Sequence, residues 1–157
     1  MPVTIRPIRP EETHVMRQRI LRAHQTLAEM EYPGDREAES VHFGAFEGDR
    51  LVGIASIYRE AWKDDPQPGD WRLRGMAVDE GLRGGGVGAK LLEACGRHMA
   101  GRGGRRLWCY ARTPACGFYE KFGLSARGPI WDEGGIGPHV VMAGDVEGLL
   151  SRGAGEA

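Results

Sequence analysis

The sequence predicts a mixed α/β fold, a mostly antiparallel sheet of about seven strands flanked by helices. Short apolar or alternating runs recur along the chain, as half-buried strands require. Helical spacing and capping signals mark three helices between those runs. The 25 glycines gather in turns without a collagen-like period, so they punctuate elements and do not signal disorder. Residues 1–150 read as one domain, with 151–157 as a loose tail.

Each element has its own warrant. Val3 to Ile8 alternates and opens the sheet. Pro10-Glu11-Glu12-Thr13 starts a helix, with proline early and acids in the first turn. Val15, Ile20, Ala23 and Leu27 then recur at helical spacing, which carries that helix to about Ala28. Tyr32-Pro33-Gly34-Asp35 is a turn. Val41 to Phe46 and Leu51 to Tyr58 are strands joined through the hairpin signal Glu47-Gly48-Asp49-Arg50. Lys63 to Gly69 is a connecting loop, and Trp71 to Val78 is the next strand. Val87, Leu91, Cys95 and Met99 share one face of a helix that ends before Gly101 to Gly104. Leu107 to Ala111 is a buried strand. A short helix begins at Thr113 or Pro114, runs through Phe122, and is closed by Gly123. Strands around Leu124 to Trp131 and His139 to Ala143 complete the order.

Size and charge narrow the function classes. At 157 residues the chain can bury a core without disulfides or metals. Its net charge of -1 lacks the basic excess of a general nucleic-acid binder. The N-terminus has no apolar signal segment, and no run approaches the length of a membrane helix. Cys95, Cys109 and Cys116 show no paired spacing, which fits reduced thiols in a cytoplasm. The five histidines form no metal-binding pattern with each other or with cysteine, so no metal site is expected.

The run from Met76 through Leu92 carries the chemistry. It reads as an apolar strand, a basic glycine-rich turn (Arg83-Gly84-Gly85-Gly86-Val87-Gly88), and the first turn of a helix. Such a turn aims unpaired backbone N–H groups and a positive helix end at one point, a natural seat for phosphate. Arg83 and Lys90 add mobile charge. A nucleotide-binding P-loop would need Ser or Thr after its lysine, but Leu91 follows Lys90. The dinucleotide fingerprint is met locally by Gly84, Gly86 and Ala89. It also requires an acid at the end of the next strand, where Arg112 stands. A nicotinamide oxidoreductase is therefore the weaker alternative. The bland alternative is a flexible surface turn.

The third reading is coenzyme A. Arg83 to Gly88 fits the pattern [Gln/Arg]-x-x-Gly-x-[Gly/Ala], and Ala111-Arg112-Thr113-Pro114-Ala115-Cys116-Gly117-Phe118-Tyr119-Glu120-Lys121-Phe122-Gly123-Leu124 resembles Ala-x-x-Phe-Tyr-Glu-Lys-x-Gly-Phe. With both segments in this order, the region from Trp71 to Leu124 resembles the GNAT superfamily of N-acetyltransferases. The resemblance implies that superfamily's fold, splayed at an acetyl-CoA cleft between the strands Trp71 to Val78 and Leu107 to Ala111. It implies that Met76, Ala77 and Val78 lie against the pantetheine arm and thioester. Main-chain N–H groups of Arg83, Gly84, Gly85, Gly86, Val87, Gly88 and Ala89 would hold the pyrophosphate. Arg112 replaces a frequent asparagine that contacts the cofactor arm, and is expected to do the same. Leu124 replaces a phenylalanine, a packing change.

The same resemblance places the Tyr119 hydroxyl near the cofactor sulfur, as general acid for the departing thiolate. A phenol of pKa about 10 serves a thiol of pKa about 8.5 only when well aligned. Its structural alternative is a buried aromatic beside Phe118 and Phe122. His139 is the first candidate for the base that deprotonates the acceptor ammonium, ahead of Glu60, Asp132, Glu133 and His42. Arg72 and Arg74 alternate with apolar neighbours and share a strand face. They face a substrate carboxylate, or else solvent or ion-pair partners such as Asp70 or Glu60. Cys116 reads as an inert thiol. The expected activity is acetyl transfer from acetyl-CoA to a small-molecule amine by direct attack, without nucleic-acid or membrane partners. A non-catalytic coenzyme A sensor is the rival, and exposed strand edges leave a homodimer open.

Overall fold

The computed structural model describes residues 2–155. The chain forms two compact units, one from the residues up to Tyr58 plus Arg74–Cys95, the other from Arg59–Leu73 plus everything from Gly96 onward. Seven strands are hydrogen-bonded in the order β1-β2-β3-β4-β5-β7-β6, and β4 contributes residues to both units.

In the first unit, β1 (Val3–Ile8), β2 (Val41–Glu47) and β3 (Arg50–Tyr58) pair antiparallel. The expected hairpin is present, with Glu47 opposite Arg50. Met16, Ile54 and Ala77 are buried together, with Ile8, Ile20, Leu21 and Leu51 packed against them. The helix α2 (Val87–Ala100) carries the expected inward stripe: Val87, Leu91, Cys95 and Met99 are at most 4% exposed. Burial of such side chains contributes about 1.5–3 kcal/mol for each large one.

The long helix expected from Pro10 to about Ala28 is absent. The chain instead makes a 3-10 turn (Pro10–Thr13), the short α1 (His14–Met16), a π-helical turn (Arg17–Leu21) and a second 3-10 turn (Leu27–Met30). Arg22 leaves helical conformation at φ -142° and ψ 50°. The apolar spacing misled here, because Val15 and Leu27 are exposed while Arg17 is fully buried. Arg17 finds its partners in Asp35, Ser56 and Tyr58. Satisfying one buried guanidinium outweighs the modest gain of extending an amphipathic helix.

In the second unit, β4 (Asp70–Val78) pairs parallel with β5 (Arg106–Arg112) over Asp70↔Arg106, Trp71↔Leu107 and Arg72↔Trp108. From there β5 pairs antiparallel with β7 (Gly137–Asp145), and β7 with β6 (Ser125–Glu133). Arg106 and Asp70 anchor the parallel start. Arg106 donates Nε to Asp70 Oδ1 at 2.8 Å and Nη2 to Oδ2 at 3.0 Å. Burial opposes the Asp70 charge, yet Arg106 and the N–H groups of Gln67 and Trp62 outweigh it and hold its carboxyl below the ordinary value. Trp62, Trp108, Val141 and Ala143 form the core, flanked by Tyr110 and Trp131.

The predicted helix after β5 is a 3-10 turn (Thr113–Ala115) followed by α3 (Cys116–Glu120). A further helix, α4 (Val146–Gly155), occupies much of the segment expected to be a loose tail. It forms because the Val146 N–H donates to Arg105 O at 2.8 Å, while Val146 and Leu149 are buried. Residues 156 and 157 of that tail lie outside the described residues. Among the described residues, no helix is long and apolar enough to cross a membrane.

Candidate active site

The glycine-rich turn lies in the first unit, between β4 and α2. After Val78 the chain makes a 3-10 turn (Glu80–Leu82) and reaches Gly84 and Gly86, both at φ +86°. Only glycine adopts that conformation without strain, and a Cβ at either position would meet nothing within 4 Å. The turn is therefore shaped by backbone geometry and leaves open space beside it. Gly85 N–H donates to Leu82 O at 3.2 Å, and Lys90 N–H to Gly86 O at 3.1 Å. Among the described residues, the N–H groups of Gly84, Gly86, Val87, Gly88 and Ala89 find no backbone acceptor. These five amides lie at the N-terminal, positive end of α2, where helix N–H groups are commonly met by anions. Arg83 turns its Nε back onto Val78 O at 3.1 Å.

Asp79 braces this turn from below, a role the sequence reading missed. Its N–H donates to Val52 O at 2.9 Å. Its buried carboxylate accepts from Arg19 Nη2 at 2.6 Å and Arg50 Nη2 at 3.1 Å. These partners lie far from Asp79 in the chain, so no local pattern announces them.

Upstream, Met76 and Val78 are half-buried and Ala77 is buried in the core. Gly75, at φ +66°, breaks the regular pleat just before them. A Cβ there would lie 3.2 Å from Arg17 Nε. The strand is thus bent against a fully buried guanidinium one residue before the main chain expected to meet the thioester.

In the second unit, Tyr119 sits on α3 with its ring packed edge-on to Phe118 at 5.3 Å between centroids. It is 8% exposed, and its carbonyl accepts from the N–H groups of Phe122 and Leu124. Arg112 ends β5, in register with His139 of β7. His139 is buried, and its Nδ1 lies 2.9 Å from Gly137 O. A carbonyl only accepts, so the neutral ring carries its proton on Nδ1 and keeps the Nε2 lone pair.

Three of the other base candidates, His42, Glu60 and Glu133, are engaged elsewhere. His42 belongs to a closed network, with Nε2 donating to Asp35 O at 2.9 Å and Nδ1 facing Ser56 Oγ at 2.6 Å. Burial holds its imidazole below the ordinary value. Glu60 accepts from Arg72 Nη1 at 3.2 Å, and Glu133 accepts from Trp131 Nε1 at 3.3 Å. Of the two readings of Arg72, the ion pair is the one present, and its guanidinium also lies over Trp108 and Tyr110. Arg74 stacks on Tyr32. Burial pushes the Cys116 thiol up, which makes it a poor nucleophile. Among the described residues, no His/Cys/Asp/Glu group is arranged to hold a metal.

The profile of the acetyltransferase (GNAT) family matches residues 7–124. The uncharacterized N-acetyltransferase YitI of Bacillus subtilis (strain 168) is 36% identical over 138 residues, covering 88% of this chain and 93% of YitI. Among solved structures, Escherichia coli ElaA superposes with a TM-score of 0.73 at 20% identity, covering 90% of this chain and 99% of its own. An aminoglycoside 6'-N-acetyltransferase complexed with coenzyme A superposes with a TM-score of 0.65 at 17% identity, covering 91% of this chain and 97% of its own.

Proposed function

Because the chain belongs to the GNAT family of acetyltransferases and is an acetyl-CoA-dependent N-acetyltransferase, we propose that it acetylates a primary amine of a small molecule by direct attack on the thioester. The open amides of Gly84, Gly86, Val87, Gly88 and Ala89 are the observation that carries the binding half of this reading. In it they hold the pyrophosphate of acetyl-CoA, with Arg83, Gly85 and Lys90 alongside. The main chain of Met76, Ala77 and Val78 receives the pantetheine arm and thioester carbonyl, where a fixed N–H stabilises the developing oxyanion. Arg112 contacts the cofactor arm.

The chemistry then needs two protons removed from the acceptor nitrogen, one before attack and one after, and one supplied to sulfur. His139 takes a proton from the acceptor ammonium, directly or through water, on the Nε2 lone pair that its bond to Gly137 O leaves open. The neutral amine attacks the acetyl carbon, a C–N bond forms, and the C–S bond breaks. Tyr119 donates its phenolic proton to the departing thiolate, and the resulting phenolate recovers a proton from the acylated nitrogen, directly or through water. Family resemblance supports that role, and its place on α3, within the Phe118-Tyr119-Glu120-Lys121 segment that ends that helix, agrees with it. A cytoplasmic setting, where acetyl-CoA and reduced thiols coexist, fits the three free cysteines.

Melting the protein with acetyl-CoA, coenzyme A and NADH tests the binding half. Acetyl-CoA and coenzyme A raise the midpoint through mass action, and NADH does not. A thiol-release assay over an amine library tests transfer. Release with no amine in the library would favour the sensor reading over the enzyme.

A further inference from the structure

A network of buried polar groups in the first unit is gathered around one side chain. Arg17 is fully buried, and both of its Nη groups are committed. Nη1 donates to Met30 O at 2.8 Å and to Asp35 Oδ2 at 2.7 Å. Nη2 donates to Asp35 Oδ1 at 3.1 Å, Ser56 Oγ at 3.0 Å and the Tyr58 hydroxyl at 3.2 Å. The acceptors are fixed in turn. Asp35 also accepts from the Tyr58 hydroxyl and the Tyr32 N–H. His42 Nε2 donates to Asp35 O, so Nδ1 is the lone-pair nitrogen and accepts from the Ser56 hydroxyl at 2.6 Å. The planar guanidinium is thereby tied to β2, β3 and the segment from Met30 to Asp35, with Cζ 4.1 Å from the Tyr32 ring centroid.

Stability is a weak reason for such an arrangement. A buried ion pair gives up its hydration, and apolar residues of the same volume often fold as stably in its place. What this pair supplies is a rigid plane in a fixed position. The edge of that plane left over is Nε, which is buried and, among the described residues, has no hydrogen-bond partner. It lies against Gly75 of β4. A Cβ built on Gly75 would be 3.2 Å from Arg17 Nε and 3.5 Å from Tyr32 Cε2.

Gly75 is where β4 leaves extended backbone, at φ +66°. The peptide joining Gly75 to Met76 is a rigid plane, so a rotation at Gly75 carries the Met76 N–H with it. In the reading above, on which this inference rests, the main chain from Met76 to Val78 meets the thioester. We propose that Arg17 is a positioning residue: its guanidinium, backed by Tyr32, sets the bend at Gly75 and thereby the angle at which the Met76 main chain meets the thioester carbonyl. Arg17 itself touches neither cofactor nor acceptor.

The experiment uses two variants. Arg17→Lys keeps a cation for Asp35 but loses the planar fork, and Tyr58→Phe removes one hydroxyl from the network while keeping its ring. Calorimetry with coenzyme A counts folded binding sites, and the same titration with acetyl-CoA gives the affinity ratio that the thioester contact carries. Thiol release over an amine library gives kcat per counted site. Arg17→Lys should lower kcat per site about 100-fold, the scale of an ångström of misplacement at the reacting group, and bring the affinity ratio toward one. Its coenzyme A affinity should change less than about twofold, because the turn from Arg83 to Ala89 is untouched. Tyr58→Phe should act in the same direction by about tenfold. Gly75→Ala, which crowds the same bend, should add little to Arg17→Lys in the double variant.

A merely structural role predicts fewer sites, each with wild-type kcat and ratio. That result would overturn the proposal, in both variants or, should Arg17→Lys not fold, in Tyr58→Phe alone. Losses that multiply in the double variant would overturn the route through Gly75. A wild-type ratio of one would leave no contact to position and overturn the proposal as well. No thiol release by the wild type with any amine would instead overturn the transfer reading, and the affinity ratios would still decide the role of Arg17.

Discussion

His139 on β7 stands directly opposite Arg112 of β5 and, on its other side, opposite Trp131 of β6. Paired residues of neighbouring strands project from the same sheet face, and the Trp131 ring lies 5.8 Å from the imidazole. The candidate base and the candidate cofactor arginine are thus cross-strand neighbours. Gly137 O, two residues upstream, sets the tautomer that leaves Nε2 as the basic atom.

If His139 is the base, His139→Gln should lower kcat/KM on the order of 100-fold at neutral pH. The acid limb expected of the wild-type pH–rate profile should be lost in the variant. A retained limb in the variant would assign the base elsewhere.

Tyr119→Phe should lower kcat by about 100-fold or more while the KM for acetyl-CoA changes less than about twofold. The ring packs against Phe118, so phenylalanine keeps the core filled. Steady-state kinetics across pH 6 to 9 checks this, and full activity in the variant would remove Tyr119 from the mechanism.

Gly86→Ala and Gly75→Ala should separate binding from folding. Both glycines have positive φ, but a Cβ on Gly86 meets nothing, whereas one on Gly75 lies 3.2 Å from buried Arg17. Gly86→Ala should cost about 1–2 kcal/mol of stability from backbone strain and weaken coenzyme A binding at least tenfold. Gly75→Ala should cost more stability, because crowding adds to strain. Urea unfolding and calorimetry measure the two effects independently.

Stability should fall as pH falls below about 6.5. Burial holds His42 below its ordinary value, and burial with Arg102 nearby does the same for His98. The unfolded chain, with histidines near about 6.5, therefore binds more protons than the folded one in that window. Linkage makes the stabilisation complete above the unfolded value and progressively lost on descending through the folded one. Asp35 and Asp70, both held low, add a second loss below about pH 4. Urea midpoints at pH 7.5, 6 and 5 check the first step, and a flat series would contradict it.

Asp70→Asn should destabilise by on the order of 3 kcal/mol, since it strips a buried, bidentate partner from Arg106. Glu60→Gln, which weakens an exposed ion pair with Arg72, should change stability by less than about 1 kcal/mol. Thermal melts of the two variants make the comparison.

Strands, the hairpin at Glu47 to Arg50, the inward stripe of α2 and the glycine-rich turn before that helix were all legible in the chain. Each depends on residues close in sequence: alternation of period two, spacing of period 3.6, or glycines where φ must be positive. The reading failed where distant partners decide. Nothing local tells that Arg17 enters the core, because its cost of burial is met by Asp35, Ser56 and Tyr58, brought in by a turn and by β3. For the same reason Val15 was placed inside and is exposed, and α4 was overlooked although Arg105 O caps its first N–H. Asp79 and its two arginines were invisible until strands separated in sequence came side by side. Short-range geometry writes itself into residue spacing, whereas satisfaction of buried charge is settled only when the chain has folded.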